Sequence, residues 1–407
     1  MAREIKFRRG TTAKHSTFTG AEGEITVDTT KDTLVVHDGA TAGGFPLARE
    51  SLTVAKDSST GAAYIPSGTT AQRPVTPANG YMRFNTDLVT MEVWNGSSWT
   101  AVGAAKISRP VKVDAVSINV DGTTLSLNSN LVAPYTKTAG TDYYYTKTYI
   151  TADRTDPNIL GGFHYGVIPE TFTAINNITT SDADAIRGIN AYSIWTHWFR
   201  PTCDDKRGMV HIFGRWYDIY LCNTDHHTYG TSAAGKTIAG GVVSNGRNYP
   251  KIPLFYGGDG SVTYGTFTWF EAAEIAKAHS KDLISYNEFV AIAYGVLEAS
   301  SASTADTGIT QHFANYTSKF GICMATGCQW IWGKDVQGIG GTSWLTGVTE
   351  GRGDIYAPAN TPTAAIFGGA RDGTSSSGSR ASNWNNYVWG SYWDVGCRFA
   401  CDHLEVK

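Results

Sequence analysis

Six cysteines, one histidine pair and two short charged runs are the residues whose chemistry could reach beyond packing. The cysteines, Cys203, Cys222, Cys323, Cys328, Cys397 and Cys401, all fall in the second half of the 407-residue chain. Thiolates so placed could hold zinc or cycle as a redox pair. Cys323-x4-Cys328 and Cys397-x3-Cys401 are not zinc-knuckle spacings, however, and no paired His-x3–5-His run follows them. The polar start, Met1-Ala-Arg-Glu-Ile-Lys-Phe-Arg-Arg-Gly10, lacks the apolar core of a secretion signal, so the thiols are expected to be buried and reduced in character. His226-His227 behind Asp225 raises the question of a metal. Adjacent side chains of a strand point to opposite faces, so solvated loop histidines are expected and no metal. Asp402-His403 could be joined to a serine as a hydrolytic triad, but no Gly-x-Ser-x-Gly elbow accompanies it. Buried hydrogen bonds at the end of the chain are the expectation there. Arg352-Gly353-Asp354 spells an adhesion tripeptide, yet between Gly351 and Ile355-Tyr356 it reads as a turn. The chain is expected to be no enzyme and to need no cofactor.

A different kind of candidate is the stretch Ala365 to Lys407. Fixed-looking residues (Gly368, Gly369, Gly378, Arg380, Trp384, Gly396, Arg398, Cys401, Asp402, His403) alternate there with small, polar or aromatic ones that follow no helical or strand period. Such a segment cannot bury a continuous apolar face, so short strands and loops on a scaffold built elsewhere are expected.

The elements that must provide that scaffold are mainly β. The composition has 45 Gly, 12 Trp and 21 Tyr with only 17% charged residues. A length of 407 residues calls for two to four domains. Net charge is −3 with no basic run, which leaves a nucleic-acid partner without its electrostatic footprint. No apolar run approaches the ~20 residues of a membrane span, and no membrane insertion is expected. Along the chain, residues 1–50 read as short strands at Glu4–Phe7, Glu24–Val27 and Thr33–Val36, too sparsely apolar for a monomeric core and suited to completion by neighbouring chains. Residues 51–105 form a small β module with a hairpin signal at Asn95-Gly96 between Trp94 and Trp99. Residues 106–160 alternate apolar and polar residues through Val111, Val113, Val116, Ile118 and Val120 before Asp121-Gly122, as in a β-sandwich or spacer. From 161 to 407 aromatics are dense, and two helices are expected. One runs from Trp269 to His279; the other from Ser285 to Glu298, with Ser285 as N-cap and Glu288 as its capping-box partner.

The stretch FRRGTTAKHSTFTGAEGEITVDTTKDTLVVHDGATAGGFPLA (Phe7 to Ala48) resembles the N-terminal module of phage tail-fibre proteins, specifically of the major tropism determinant family. Tyr256-Gly-Gly-Asp-Gly-Ser261, Tyr286-Asn-Glu-Phe289, Ser318-Lys-Phe-Gly321, Gly327-Cys-Gln-Trp-Ile-Trp-Gly333, Gly351-Arg-Gly-Asp-Ile-Tyr-Ala357 and Phe367-Gly-Gly through Cys401-Asp-His-Leu404 resemble its C-terminal domain. The resemblance implies a trimeric β-prism at the N-terminus and a C-type lectin fold at the C-terminus, of the branch shared with formylglycine-generating enzymes. That enzymatic branch needs two cysteines just after Gly368-Gly369, where Ala370 to Ser379 contains none. A calcium-dependent lectin needs Glu-Pro-Asn or Gln-Pro-Asp plus Trp-Asn-Asp; neither triplet occurs, and Trp384-Asn385-Asn386 lacks the charge a hard Ca²⁺ requires.

What the resemblance implies instead is a variable binding protein of a diversity-generating retroelement. Adenine-directed copying of AAC or AAT codons can produce only residues whose codons end in a pyrimidine, never Lys, Glu, Gln, Met or Trp. Those first four types number 37 in the chain and are absent from residues 370–403. The resemblance places the variable set at Ala370, Asp372, Thr374, Ser376, Asn383, Asn385, Asn386, Gly390, Tyr392, Asp394 and Val395, with Arg371 and Tyr387 as allowed additions. Trp384, Trp389 and Trp393 then belong to the fixed scaffold, packed and only partly exposed. The implied protein is a homotrimeric adhesin of the distal tail fibre of a virion, made in the bacterial cytoplasm. Its partners would be a host cell-surface receptor (protein or glycan), its own copies and other tail proteins. The competing class is a structural tail or baseplate component whose lectin domain only packs against other virion proteins.

Overall fold

The computed structural model describes residues 6–47, 65–87, 90–102, 108–337 and 362–405, together with the strand pair Trp344–Leu345 and Ile355–Tyr356. Arg352-Gly353-Asp354 lies outside the described residues, as do Glu4 and Ile5 of the first expected strand. The chain divides into two units, Met1–Ala105 and Lys106–Lys407.

The first unit holds two four-stranded sheets. One takes Arg8–Gly10, Ile25–Asp28, Thr33–Val36 and Phe45–Pro46 in that order. Strand alternation sends Thr26, Asp28 and Val35 inward, and Ile25 and Leu34 outward. The interior is therefore largely polar. His15 Nε2 and His37 Nε2 both bond Thr26 Oγ1, at 2.8 and 2.9 Å, while Phe7, Phe45 and Leu47 are more than half exposed. The second sheet takes Ser67–Gly68, Met82–Asn85, Thr90–Trp94 and Trp99–Val102. Its hairpin closes with Trp94 opposite Trp99, rings 5.8 Å apart, where Asn95-Gly96 signals the turn. Here too the inward set is polar: buried Glu92 accepts from Arg73 Nη2 at 2.6 Å and Asn85 Nδ2 at 3.1 Å, while Met82 points out.

The second unit is built the other way round. Its hairpin Ser117–Val120 to Thr123–Ser126 turns on Asp121 and Gly122, both at positive φ (46° and 88°), the combination a two-residue type I′ turn requires. A sequence boundary near 160 does not correspond to a break. Thr141–Tyr145 pairs along its whole length with Gly161–Tyr165, so the expected spacer shares a sheet with the aromatic-rich region beyond it. That nine-stranded sheet runs Ile150–Thr151, Thr141–Tyr145, Gly161–Tyr165, Trp195–Thr196, Phe199–Pro201, Phe399–Glu405, Arg215–Asp218 and Met209–Ile212, with Asp282–Leu283 also on Phe399–Glu405. The C-terminal strand is thus an interior member with three partners. A second sheet orders Ser382–Tyr387, Thr363–Phe367, Trp330–Gln337 and Val395–Gly396.

Helix Trp269–Ala278 starts at a Thr268/Glu271 capping box and helix Tyr286–Ile292 at Ser285/Glu288. The second is shorter than the expected run to Glu298. Its C-cap is Ala293, and Gly295 then takes φ 108°, where a Cβ would meet Lys319 N at 2.8 Å. Both helices bury apolar faces: Ile275 and Ala276 pack with Trp332 and Phe399, Phe289 and Ile292 with Ile331 and Phe367. Each such large side chain contributes roughly 1.5–3 kcal/mol by leaving water. No helix among the described residues is long and apolar enough to cross a membrane.

Candidate functional site

The Ala365 to Lys407 stretch is carried by the four-stranded sheet, and its local geometry rests on three anchors. The first is Gly368-Gly369, with φ 99° and 93°, a conformation that costs an L side chain strain. A Cβ on Gly369 would also lie 2.1 Å from Ser377 Oγ. Gly368 N donates to Ala381 O (3.0 Å) and Gly378 N to Gly368 O (3.2 Å), closing residues 369–377 into a loop. Glu298 then fastens its far end, accepting from Ser379 N (2.8 Å) and Ser379 Oγ (2.5 Å).

The second anchor is the edge strand Ser382–Tyr387. Its register against Thr363–Phe367 sets Asn383 opposite Ile366 and Asn386 opposite Ala364, three steps against two, which is a β-bulge. The extra residue breaks the in–out alternation. Asn383, Trp384 and Asn385 are all exposed in succession, and Asn386 turns in, 8% exposed. Trp384 keeps 37% of its surface open while its ring stands edge-on to Tyr286 (5.7 Å) and its Nε1 donates to Ser382 Oγ (3.1 Å).

The third anchor holds the return through residues 387–398. Tyr387 stacks on Trp389 at 5.3 Å and an interplanar angle of 8°. Ser391 Oγ donates to Gly241 O (2.5 Å) and accepts from Phe267 N (2.8 Å). Trp330 N donates to Asp394 O (2.9 Å). Arg398, 1% exposed, spends its guanidinium on four carbonyls, those of Asp218, Ile219, Cys323 and Met324. Burial lowers it to about 10, and the four acceptors hold a charge that would otherwise be ruinous.

The two expected groups separate only in part. Asp372, Thr374, Ser376, Asn383 and Asn385 are exposed; Arg371, Tyr387, Gly390, Tyr392 and Asp394 are half-buried. Ala370 (2% exposed), Val395 (1%) and Asn386 are interior instead. Ala370 bridges to Cys328, and Val395 joins the cluster around Trp332 and Phe399. On the scaffold side, Gly368, Gly369, Gly378, Gly396, Arg398 and Cys401 are buried, but Arg380 and Asp402 are exposed. Asp402 thus makes no buried hydrogen bond; its Oδ1 meets Arg215 Nε at 3.2 Å at the surface, since strand alternation puts it opposite in direction to Cys401. Half-buried His403 accepts at Nδ1 from Trp216 Nε1 (3.0 Å). Asp394 is shifted upward by burial and by the negative Asp372, which places two acids from separate segments within each other's field. Tyr387's backbone bonds the Tyr392 phenol. Tyr286, Glu298 and Gly241 support this surface from outside the stretch, and no pattern in the sequence marks them for it.

The remaining chemical candidates resolve as structure. All six thiols are free and buried, with Cys203 and Cys401 sulfurs 3.3 Å apart. His226-His227 opens a one-turn helix, His226–Tyr229, rather than a solvated loop. His226 is buried, Nδ1 2.9 Å from His279 Nε2 and Nε2 2.8 Å from Lys251 O, and burial holds it down at about 3. Among the described residues no group of three His, Cys, Asp or Glu side chains is arranged to hold a metal.

Comparison with known proteins decides the family. The profile described as the major tropism determinant N-terminal domain matches residues 5–41. Over 419 residues the chain is 39% identical to the tail fiber receptor-binding protein of Bordetella phage BPP-1, with all of both chains covered. The chain belongs to the major tropism determinant family. Solved structures agree over the same extent. The major tropism determinant U1 variant aligns with TM-score 0.59 at 35% identity, and the M1 variant with 0.58 at 36%, each covering 99% of this chain and 100% of the other. The fold is accordingly mainly β, with a C-type lectin fold in the second unit of this family member.

Proposed function

We propose that this chain is a phage tail-fibre adhesin that recognises the host bacterial surface through the exposed residues of the 370–395 region. The observation that carries the reading is the arrangement of that region: exposed Asp372, Thr374, Ser376, Asn383 and Asn385, with half-buried Tyr387, Tyr392 and Asp394, held between buried Gly368, Gly369, Gly378 and Arg398. The side chains of the exposed positions can be exchanged without touching Gly368, Gly369, Gly378 or Arg398. Tyr, Asn and Ser suit such a surface because they bind adaptably at low entropic cost. The role is binding rather than catalysis, and the site of action is the virion tail.

The outward apolar faces of the first unit support the further reading that three copies associate there. Exposed Ile25, Leu34, Phe45 and Leu47 lie on one sheet whose own interior is polar, so the apolar surface that could stabilise it is unspent within one chain. Three linked surfaces would gain ~10²–10⁴ in avidity over one. The test is adsorption: excess purified protein should block phage attachment to its host, and protein carrying Asn383→Ala, Asn385→Ala and Tyr387→Ala should not. A nearby template copy of the 3′ end with AAC or AAT at the exposed codons supports diversification. Differences falling on Gly368, Arg380 or Trp384 would overturn it.

A further inference from the structure

A concave surface lies in the C-terminal unit and shares no residue with the 370–395 region. Two adjoining cavities of about 480 and 430 Å³ have Tyr144, Arg154 and Arg207 in common and so form one two-lobed trough. Both volumes fall in the ~300–1,000 Å³ range of small-ligand sites. The trough is rich in positive charge in a chain whose net charge is −3. Arg207 is spent on Asp205, with Nη2 to Oδ2 at 2.6 Å. Arg154, Lys206 and Lys236 have no ion pair among the described residues.

Aromatic rings, not carboxylates, hold two of these cations. Lys236 Nζ sits 3.7 Å from the centre of the Tyr229 ring in one lobe, and Lys206 Nζ 5.7 Å from that of Trp195 in the other. Lys206 Nζ also donates to the Asp204 carbonyl at 3.1 Å. A lysine ammonium has three donors, so one carbonyl and a ring face leave N–H groups for a further partner. At the waist, half-buried Tyr144 stands edge-on to Trp195 at 6.2 Å. Burial and the nearby Asp142 push its phenol upward, so it stays a protonated donor. Of the carboxylates in the trough, Asp142 accepts from Gly208 N (3.0 Å) and His164, and Asp205 from Arg207, which leaves exposed Asp204 as the one acid without a side-chain partner there. His226 and His279, held at about 3 and about 4 by burial, add no charge at neutral pH.

We infer that this trough binds an acidic oligosaccharide. A sugar face stacks on Tyr144 at the waist, while a carboxylate or phosphate substituent takes charge-assisted hydrogen bonds from Arg154 and from Lys206 or Lys236. Threonine hydroxyls along the first lobe, Thr138 and Thr141, suit the sugar hydroxyls. The trough shares no residue with the 370–395 surface, so each reading can fail without the other.

The experiment is titration calorimetry with saturation-transfer NMR on the full chain. The probes are 3′-sialyllactose for a carboxylated sugar and lactose 6-phosphate for a phosphorylated one, with lactose and inorganic phosphate as controls. Saturable binding of at least one acidic sugar is expected, at least tenfold tighter than lactose. The Arg154→Gln, Lys206→Gln double variant should weaken it about tenfold or more, because each substitution removes a charged donor. Arg154 is exposed and Lys206 is half-buried, and an unchanged melting temperature confirms that the variant folds. Asn385→Ala, on the other surface, should leave the binding unchanged. The inference is overturned if neither acidic sugar binds, if lactose binds equally well, if inorganic phosphate displaces the sugar at equal concentration, or if the double variant binds undiminished.

Discussion

The two units of the chain solve the burial problem in opposite ways. In the sheets of residues 6–102, polar side chains face inward and saturate one another, as in His15–Thr26–His37 and Arg73–Glu92–Asn85, while Ile25, Leu34, Phe45 and Met82 face out. In the described residues of the second unit the interior is apolar and aromatic, and buried Arg398 is held there by four carbonyls. The difference teaches where stability comes from. A small polar interior gains little over water for each hydrogen bond, about 1 kcal/mol, and the first unit leaves apolar Ile25, Leu34, Phe45 and Met82 exposed. The second carries its own apolar core beneath the exposed residues of the 370–395 region.

The largest break in that comparison is expected at Arg398. Arg398→Met removes the guanidinium donors from four buried carbonyls, of which Ile219 O keeps the Cys323 N–H, and a loss of about 4 kcal/mol in the second unit is expected by denaturant unfolding, with the first unit untouched. Next comes Gly369→Ala, where positive φ and the Ser377 contact combine; about 2 kcal/mol and weakened host adsorption should appear together. Leu34→Asp sharpens the contrast. On an isolated surface it would change stability by less than about 0.5 kcal/mol. If copies cover that face, light scattering should instead show trimers giving way to monomers, and a chain that is monomeric before the substitution would sink the trimeric reading.

Acid should separate the units as well. His211, His226, His279 and His312 are all depressed by burial, to between about 3 and about 4. A histidine with a lowered folded value is protonated first in the unfolded chain, so its contribution is present above pH 6.5 and lost as pH falls toward 4. Glu92 is lowered mainly by its hydrogen bond from Arg73, so the stability it gives the first unit fades only below the ordinary carboxylate value of 4.5. Melting scans between pH 7 and 3.5 should show the second unit weakening first. The smallest effect belongs to Asn385→Ala, which should leave stability within about 0.5 kcal/mol while reducing adsorption.

Sequence alone determined what is local. The turns at Asn95-Gly96 and Asp121-Gly122, the capping box of Ser285 and Glu288, and the sparse apolar content of the first fifty residues depend on neighbours a few positions away, and each reads directly from residue type. The family was legible for the same reason, since glycines and tryptophans in fixed spacing are rarely interchangeable. Tertiary structure decided what depends on distant partners. One bulge exposes Asn383, Trp384 and Asn385 together; a parallel strand, Val395–Gly396 beside Trp330–Gln337, buries Val395; a packed helix buries His226 against His279. Alternation and helical period say only that a side chain has two faces to choose between. Which face meets water is set by elements far outside the local window, as Cys328 is to Ala370 and Trp330 to Val395, and so Ala370 and Val395 went inside while Arg380 and Asp402 stayed out.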